Sequence, residues 1–334
     1  MNAVDTGKLY SFPRISFACA PTPLESLKRL GEAIGVRNLW VKRDDLTGLA
    51  GGGNKARKLE YLVADAMAKG CDHLVTTGGR QSNHARMTAA AANKCGLGCT
   101  LVFGDPDPGN RAGNLILDEV LGAELVFLGE ANLKEMHAGV DREMERLRAS
   151  GKKPYAIPVG GSVPMGELGY LNASREFAEQ AAGLDIDTAV LAVGSAGTSA
   201  GLLLGLKMFA PKVRVQGVSV SRSLDRLGTL IADMANEIAD LIEVETRVSG
   251  ADYDVSDQYV GPGYGVPSEK GLAAMRLAAR TEGLLLDPVY TGKAMSGLIG
   301  LAEEGRFANS AGVVFWHTGG LPALFAFEKE ILAG

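Results

Sequence analysis

Residues 188–209 read TAVLAVGSAGTSAGLLLGLKMF. The first six are a short apolar run without helical spacing, bounded by glycine, which predicts a buried strand over Thr188–Val193. Gly194 to Gly201 then bring glycines, serines and a threonine into one loop, and an apolar helix over Ala200–Phe209 follows. A strand, a Gly-rich turn and a helix in that order are the unit of an α/β fold with a parallel sheet. Successive N–H groups, hydroxyls and a helix dipole make this turn a phosphate cradle by chemistry. Its glycines do not fall at dinucleotide-binding spacing, and no acidic ribose partner is evident. A plain glycine-rich turn is the alternative.

The same alternation runs through the whole chain. Strands are expected at 39–42, 73–77, 100–104, 124–128, 155–159, 213–220, 283–286 and 313–317. Helices are expected at 55–69, 83–95, 110–121, 133–150, 167–182, 224–239, 269–281 and 292–304. Crossovers of this kind are right-handed and give parallel sheets. No repeat, low-complexity tract or linker interrupts the pattern.

Two more loops fall at expected strand ends, where open α/β sheets bind ligands. Gly51-Gly52-Gly53-Asn54-Lys55 lies between the strand at 39–42 and a helix. A lysine at a helix N-terminus, with Lys58 nearby, keeps its amine neutral more readily, and a neutral amine is what attacks an aldehyde. A solvated helix-start lysine is the alternative. Gly78-Gly79-Arg80-Gln81-Ser82-Asn83-His84 follows HLVTT, with Ser82 or Asn83 placed to cap the next helix and leave N–H groups for an anion. Further on come GPGYG (261–265), DPVYTGK (287–293) and HTGG (317–320), whose tyrosines and threonines either pack or donate hydrogen bonds.

The 334 residues are 46% hydrophobic and 22% charged, a globular composition. The net charge of −5 argues against nucleic acid as a partner. Four cysteines make no disulfide framework, and neither they nor the four histidines pair convergently for a metal. The first residues lack the apolar core of a signal peptide, and no apolar run is long enough to span a membrane, so no membrane partner and a cytoplasmic location are expected.

A cofactor-binding lysine beside a single-phosphate cradle points to pyridoxal phosphate. The sequence resembles the tryptophan synthase β-like, fold type II pyridoxal-phosphate enzymes. More narrowly it is similar to the family of 1-aminocyclopropane-1-carboxylate (ACC) deaminases and D-cysteine desulfhydrases. The carriers are PTPLESL (21–27), KRDDLTGLAGGGNKARKLEYL (42–62), QSNHAR (81–86), GSAGTSAG (194–201), GPGYG (261–265), RTEGLLLDPVYTGKAMSGL (280–298) and HTGGLPALF (317–325). The resemblance implies two open, mostly parallel twisted sheets flanked by helices. A larger domain would comprise 1–57 and 167–334, and a smaller inserted one 58–166. It implies a homodimer and a small amino-acid substrate. Lys55 would be the Schiff-base lysine and a proton carrier. Asn83 would meet the cofactor's ring oxygen, with Asn54 close by, and Ser195, Ala196, Gly197 and Thr198 would hold the phosphate. Ser82, with Gln81, Asn83 and His84 around it, would receive the substrate carboxylate, and Tyr264 and Tyr290 would be candidate acid–base groups.

ACC deaminases of this resemblance carry Glu after the DPVY tyrosine and Leu after the final histidine, where this chain has Thr291 and Thr318. A hydroxyl there leaves the pyridine nitrogen neutral, which suits loss of a good β-leaving group. The expectation is therefore α,β-elimination from a cysteine-like amino acid, giving pyruvate, ammonia and sulfide or sulfite. ACC deamination and a serine-type dehydratase or racemase are the alternatives. Arg80 stands where relatives carry an aliphatic residue, and its guanidinium would suit a sulfonate such as that of cysteate; a side chain that points outward or pairs with an acidic neighbour is the alternative. Lys58, one turn beyond Lys55, is expected to point its amine elsewhere.

Overall fold

The computed structural model describes residues 4–333. Among these residues ten strands form two sheets. The six-stranded sheet contains β1 (Leu24–Ser26), β2 (Leu39–Lys42), β7 (Thr188–Val193), β8 (Arg214–Ser219), β9 (Tyr253–Ser256) and β10 (Val313–Trp316), in the order β1-β2-β10-β7-β8-β9. Only the β1–β2 pair is antiparallel. The four-stranded sheet contains β3 (His73–Gly78), β4 (Gly98–Phe103), β5 (Glu124–Phe127) and β6 (Pro154–Ile157), ordered β5-β4-β3-β6 and parallel throughout. All its strands come from one stretch of chain, between two stretches that build the larger sheet.

The central strands are apolar on both faces, as parallel strands covered by helices must be. Residues 189–193 of β7 are all buried, and so are all four of β10. Helix α2 (Lys55–Ala68) packs on α6 (Pro164–Gln180), and α6 packs on α7 (Gly197–Phe209). The small residues on these faces allow close approach: a Cβ at Gly169 would run into the Arg57 backbone, and one at Gly205 into Ser174. The expected division at 58 and 166 falls within α2 and α6, so both helices run continuously across it.

Two expectations are corrected, and two edge strands are added. Residues 283–286 form no strand. Leu284 and Leu286 are buried and Leu285 is exposed, but the segment starts from the left-handed Gly283 cap and pairs with no neighbour in a ladder. The outer strand of that sheet is instead β9, four residues long. The three-residue edge strand β1 was also unforeseen, being too short to show alternation. The helix expected from 110 begins at Asn114, because Gly113 before it has φ of 58°.

Beneath the N-terminus of α2 lies a buried polar knot. Asp44 Oδ1 accepts from Thr22 Oγ1 and Arg57 Nη2, both at 2.8 Å. Its Oδ2 accepts from Arg57 Nε at 3.1 Å, Tyr170 Oη at 2.7 Å and Trp316 Nε1 at 2.9 Å. Glu176 pairs with Arg57 on its other edge at 2.9 Å and with Lys42. The knot joins β2, α2, α6 and β10, and so fixes the helix that starts with Lys55.

Candidate active site

A cleft of about 590 Å³ opens between the two sheets. Its walls are the loops that leave the carboxyl ends of β3, β4, β6, β7, β8 and β10, together with Asn54 and Lys55 at the start of α2. This is where open α/β sheets place ligands, because each strand end feeds a helix N-terminus or a turn whose N–H groups are free.

Lys55 Nζ lies in this cleft and donates to Gly160 O at 3.2 Å. Burial pulls its pKa well below the ordinary lysine value and the charge of Lys58 adds to that, against an opposing contribution from Glu167. The shift favours the neutral, nucleophilic form of the amine. Lys58 does not point elsewhere. Its Nζ donates to the same Gly160 O at 2.8 Å and to Ser162 Oγ at 3.2 Å, and lies 2.9 Å from Glu167 Oε1. Residues three apart on a helix share a face. Ser162 Oγ in turn donates to Ser195 Oγ at 2.7 Å, linking the second lysine to the β7 loop. Gly160 is required here: φ is 69°, and a Cβ would meet Ser195 Oγ and stand 3.3 Å from Lys55 Nζ.

Helix α7 begins one turn earlier than expected, at Gly197, with Ala196 as its N-cap in the left-handed region at φ of 70°. A left-handed alanine costs about 1–2 kcal/mol, a strain that clusters at ligand sites. The first-turn N–H groups have no partner within the helix. The buried Ser199 Oγ has no hydrogen-bond partner among the described residues, and Thr198 Oγ1 accepts from Asn54 Nδ2 at 3.0 Å. Ser195, Ala196, Thr198 and Ser199 line the cleft; Gly197 does not, since it packs against Glu167. Free N–H groups, an orphaned hydroxyl and two nearby lysines fit the phosphate and aldehyde of pyridoxal phosphate.

The β3 loop supplies Gly78 to His84, all of them lining the cleft. Ser82 caps α3 (Asn83–Lys94), accepting from Ala85 N at 3.2 Å. Thr76 Oγ1 gives its one proton to Ile157 O, so the His84 Nε2 that lies 3.0 Å away must donate to it. His84 Nδ1 is then a bare acceptor, buried and unpartnered among the described residues. Burial, together with Lys55 and Lys58, keeps this imidazole neutral.

Tyr264 and Tyr290 meet, their hydroxyls 2.5 Å apart and their rings edge to face. Burial raises both pKa values, that of Tyr290 well above the ordinary phenol, so the pair retains its protons at neutral pH. Thr318 lines the cleft, and its carbonyl accepts from Asn54 N at 2.9 Å. Thr291 does not line the cleft. It is fully buried at the start of α10 (Thr291–Glu303), and its hydroxyl donates to Asp287 Oδ1 at 2.7 Å while accepting from Asp287 N at 2.8 Å. This reciprocal cap leaves Thr291 turned away from the position expected for it.

Arg80 sits on the rim with its side chain 40% exposed, its Nε 3.9 Å from Asp105 Oδ1. It is neither buried nor unpaired, so a protein carboxylate, and no substrate anion, suffices as its partner. A second arginine, Arg222, also lines the cleft and was missed, although its place just past β8 is a strand-end position. Among the described residues lining the cleft, Asp105 is the one carboxylate. The described residues contain no group of three or more His, Cys, Asp or Glu side chains arranged to hold a metal. No helix among them is long and apolar enough to cross a membrane.

A family model described as "Pyridoxal-phosphate dependent enzyme" matches residues 15–319. The chain is 44% identical over 331 residues to the D-cysteine desulfhydrase of Klebsiella pneumoniae (strain 342), covering 97% of this chain and 98% of that one. Among solved structures it is similar to an ACC deaminase homologue, with a TM-score of 0.91 and 38% identity over 97% of each chain. It shares its fold with the processed form of threonine deaminase isoform 2 from Solanum lycopersicum at a TM-score of 0.66 and 19% identity, covering 98% of this chain and 85% of that one. With a buried lysine amine whose neutral form is favoured beside an anion cradle, and a family match over nearly its whole length, the chain belongs to the pyridoxal-phosphate-dependent enzymes.

Proposed function

We propose that the chain is a carbon–sulfur lyase that eliminates the β-sulfur of D-cysteine, giving pyruvate, ammonia and hydrogen sulfide. The observation that carries this reading is the polar lining around Lys55. It offers hydroxyls from Ser82, Thr318, Tyr264 and Tyr290, and its one carboxylate, Asp105, sits beside Arg80 at the rim. The full-length relationship to a D-cysteine desulfhydrase supports it.

When bound, pyridoxal phosphate supplies an electron sink for negative charge developing at the substrate Cα. Lys55 would hold it covalently. The phosphate would rest on Ser195, Ala196, Thr198 and Ser199, with the backbone of Gly197 and the charge of Lys58 below. Asn83 would donate to the ring oxygen, Asn54 would flank it, and Thr318 would meet the ring nitrogen. A hydroxyl at that nitrogen does not keep it protonated as a carboxylate would, so long-lived carbanion chemistry is disfavoured and expulsion of a stable thiolate is favoured. Ser82 and the N–H groups of α3 receive the substrate carboxylate, with Gln81 beside them and neutral His84 below. The Lys55 amine takes the Cα proton. Tyr264 and Tyr290, both protonated, hold a proton at the hydroxyl pair for the departing sulfur. The Cα–H and Cβ–S bonds break, and the released enamine is hydrolysed by water to pyruvate and ammonia.

ACC tests the reading. The unaltered protein is expected to release no 2-oxobutyrate from ACC. Thr318→Leu is expected to lower sulfide release from D-cysteine by about tenfold or more, comparable to losing one transition-state hydrogen bond. Robust 2-oxobutyrate from the natural protein contradicts the proposal.

Arg80 and Arg222 on one cleft favour a second reading, in which the β-group is a sulfonate and the leaving group sulfite. Because Arg80 is half-exposed and faces Asp105, its contribution is that of a surface pair, at most about 1 kcal/mol or roughly fivefold. Arg80→Ile is expected to raise KM for cysteate by up to that factor and to leave KM for D-cysteine unchanged. Equal effects on both substrates rule the sulfonate reading out.

A further inference from the structure

Arg86 is fully buried and does not line the cleft, yet its guanidinium is spent on groups that do the work there. Nη1 donates to Asn83 Oδ1 at 3.2 Å and to Asn114 Oδ1 at 2.7 Å, and Nη2 donates to Gly52 O at 2.8 Å. Asn114, equally buried at the start of α4 (Asn114–Val120), donates from Nδ2 to the same Asn83 Oδ1 at 3.1 Å and to Gln81 O at 2.9 Å. Its own backbone N–H is taken by Gln81 Oε1 at 2.9 Å.

Arginine has no acceptor. The carboxamide of Asn83 must therefore turn its oxygen towards Arg86, where two buried donors saturate it. Its Nδ2, a donor, is the part left to face the cleft. Gly52 lies three residues before Lys55, so the same guanidinium reaches the loop that delivers the lysine. One side chain on α3, below the four-stranded sheet's ligand loop, thus sets the polarity of one cleft residue and the position of another. Burial pulls Arg86 down to about 10, against Asp118 and Asp287, so the guanidinium stays charged at neutral pH.

We propose that Arg86 is a positioning residue: through Asn83 Oδ1 and Gly52 O it fixes a hydrogen-bond donor and the lysine loop in register against the cofactor ring. The inference rests on the cofactor reading above. It assigns the charge of Arg86 to ring recognition and not to phosphate or substrate binding, which it does not touch.

The test is a double-mutant cycle on pyridoxal phosphate affinity of the apo-protein, read by equilibrium dialysis, and on the visible absorption band of the reconstituted protein. Arg86→Lys keeps the charge but cannot make the three bonds. It is expected to weaken affinity by about 10- to 100-fold, the scale of charge-assisted hydrogen bonds, and to shift the band. Asn83→Ala is expected to do the same, and the double variant to be no more than about threefold worse than the poorer single, because both remove one contact. Asn114→Ser removes the second donor to Asn83 without touching the charge and should shift the band in the same direction; it carries the test if Arg86→Lys does not fold. Multiplied losses in the double variant, or an Asn114→Ser protein with wild-type affinity and band, overturn the proposal. So does a fall in melting temperature with affinity and band unchanged. A wild-type protein that takes up no pyridoxal phosphate would instead overturn the cofactor reading itself, an outcome distinct from failure of the cycle.

Discussion

Lys55→Ala is expected to lower turnover of D-cysteine by roughly 10³-fold or more, the combined scale of losing a covalent attachment point and a general base. Burial beside Lys58 favours the neutral amine, and no other lysine among the cleft-lining residues replaces it. Lys58 ends at the same carbonyl, which makes it the obvious substitute, but it is held by Gly160, Ser162 and Glu167 and is fully buried. The variant should still bind pyridoxal phosphate without a covalent bond, since the α7 cradle is untouched. The check is a steady-state assay with borohydride reduction and mass mapping. The wild type is expected to carry the label on the Lys55 peptide, and Lys55→Ala on none. Turnover within tenfold of wild type would remove Lys55 from the chemistry.

Asp44→Asn is expected to cost about 3–5 kcal/mol of folding stability, the range for breaking a buried ion pair from one side. Asp44 accepts five hydrogen bonds from four side chains, and an amide would turn a donor towards donors. Urea unfolding of the apo-protein measures it. The effect depends on pH. Burial pushes the Asp44 carboxyl up, but Arg57, Lys42 and its hydrogen bonds outweigh burial and leave it at about 2. A carboxyl lower in the folded state than in the unfolded chain, where it lies near ~3.9, stabilises above that unfolded value. The contribution is lost as pH falls through the folded value. The gap between wild type and Asp44→Asn should therefore be constant from pH 5 to 8 and narrow below about pH 4. A gap that widens on acidification would mean the carboxylate is not the stabilising form.

The cleft was legible in the sequence because its walls are glycine-rich turns directly after apolar runs. Residues 78–84, 194–199 and 317–320 carry that signature, and all three segments contribute to one site. What escaped was orientation. Thr291 follows Asp287 by four residues, and a reciprocal cap between them turns its hydroxyl inward; the DPVYT string shows both residues without showing that they bond each other. Lys58 was placed one turn beyond Lys55 and assigned another direction, although residues i and i+3 share a helix face. For Arg80 the sequence shows the residue type but not its direction, and a long side chain at a rim reaches solvent and Asp105. The edge strands β1 and β9 escaped because a few residues cannot display a period, whereas 283–286 is an apolar run that no neighbouring strand answers. The Arg86 clamp escaped altogether, because its partners come from three separate segments around 52, 83 and 114.

The most direct test of the central claim is product stoichiometry from D-cysteine with the pyridoxal-phosphate-loaded protein, pyruvate and sulfide being measured in the same reaction. The account predicts the two in equal amounts, accumulating together over many turnovers. Sulfide-free consumption of D-cysteine, or no consumption by protein shown to carry the cofactor on Lys55, would contradict it.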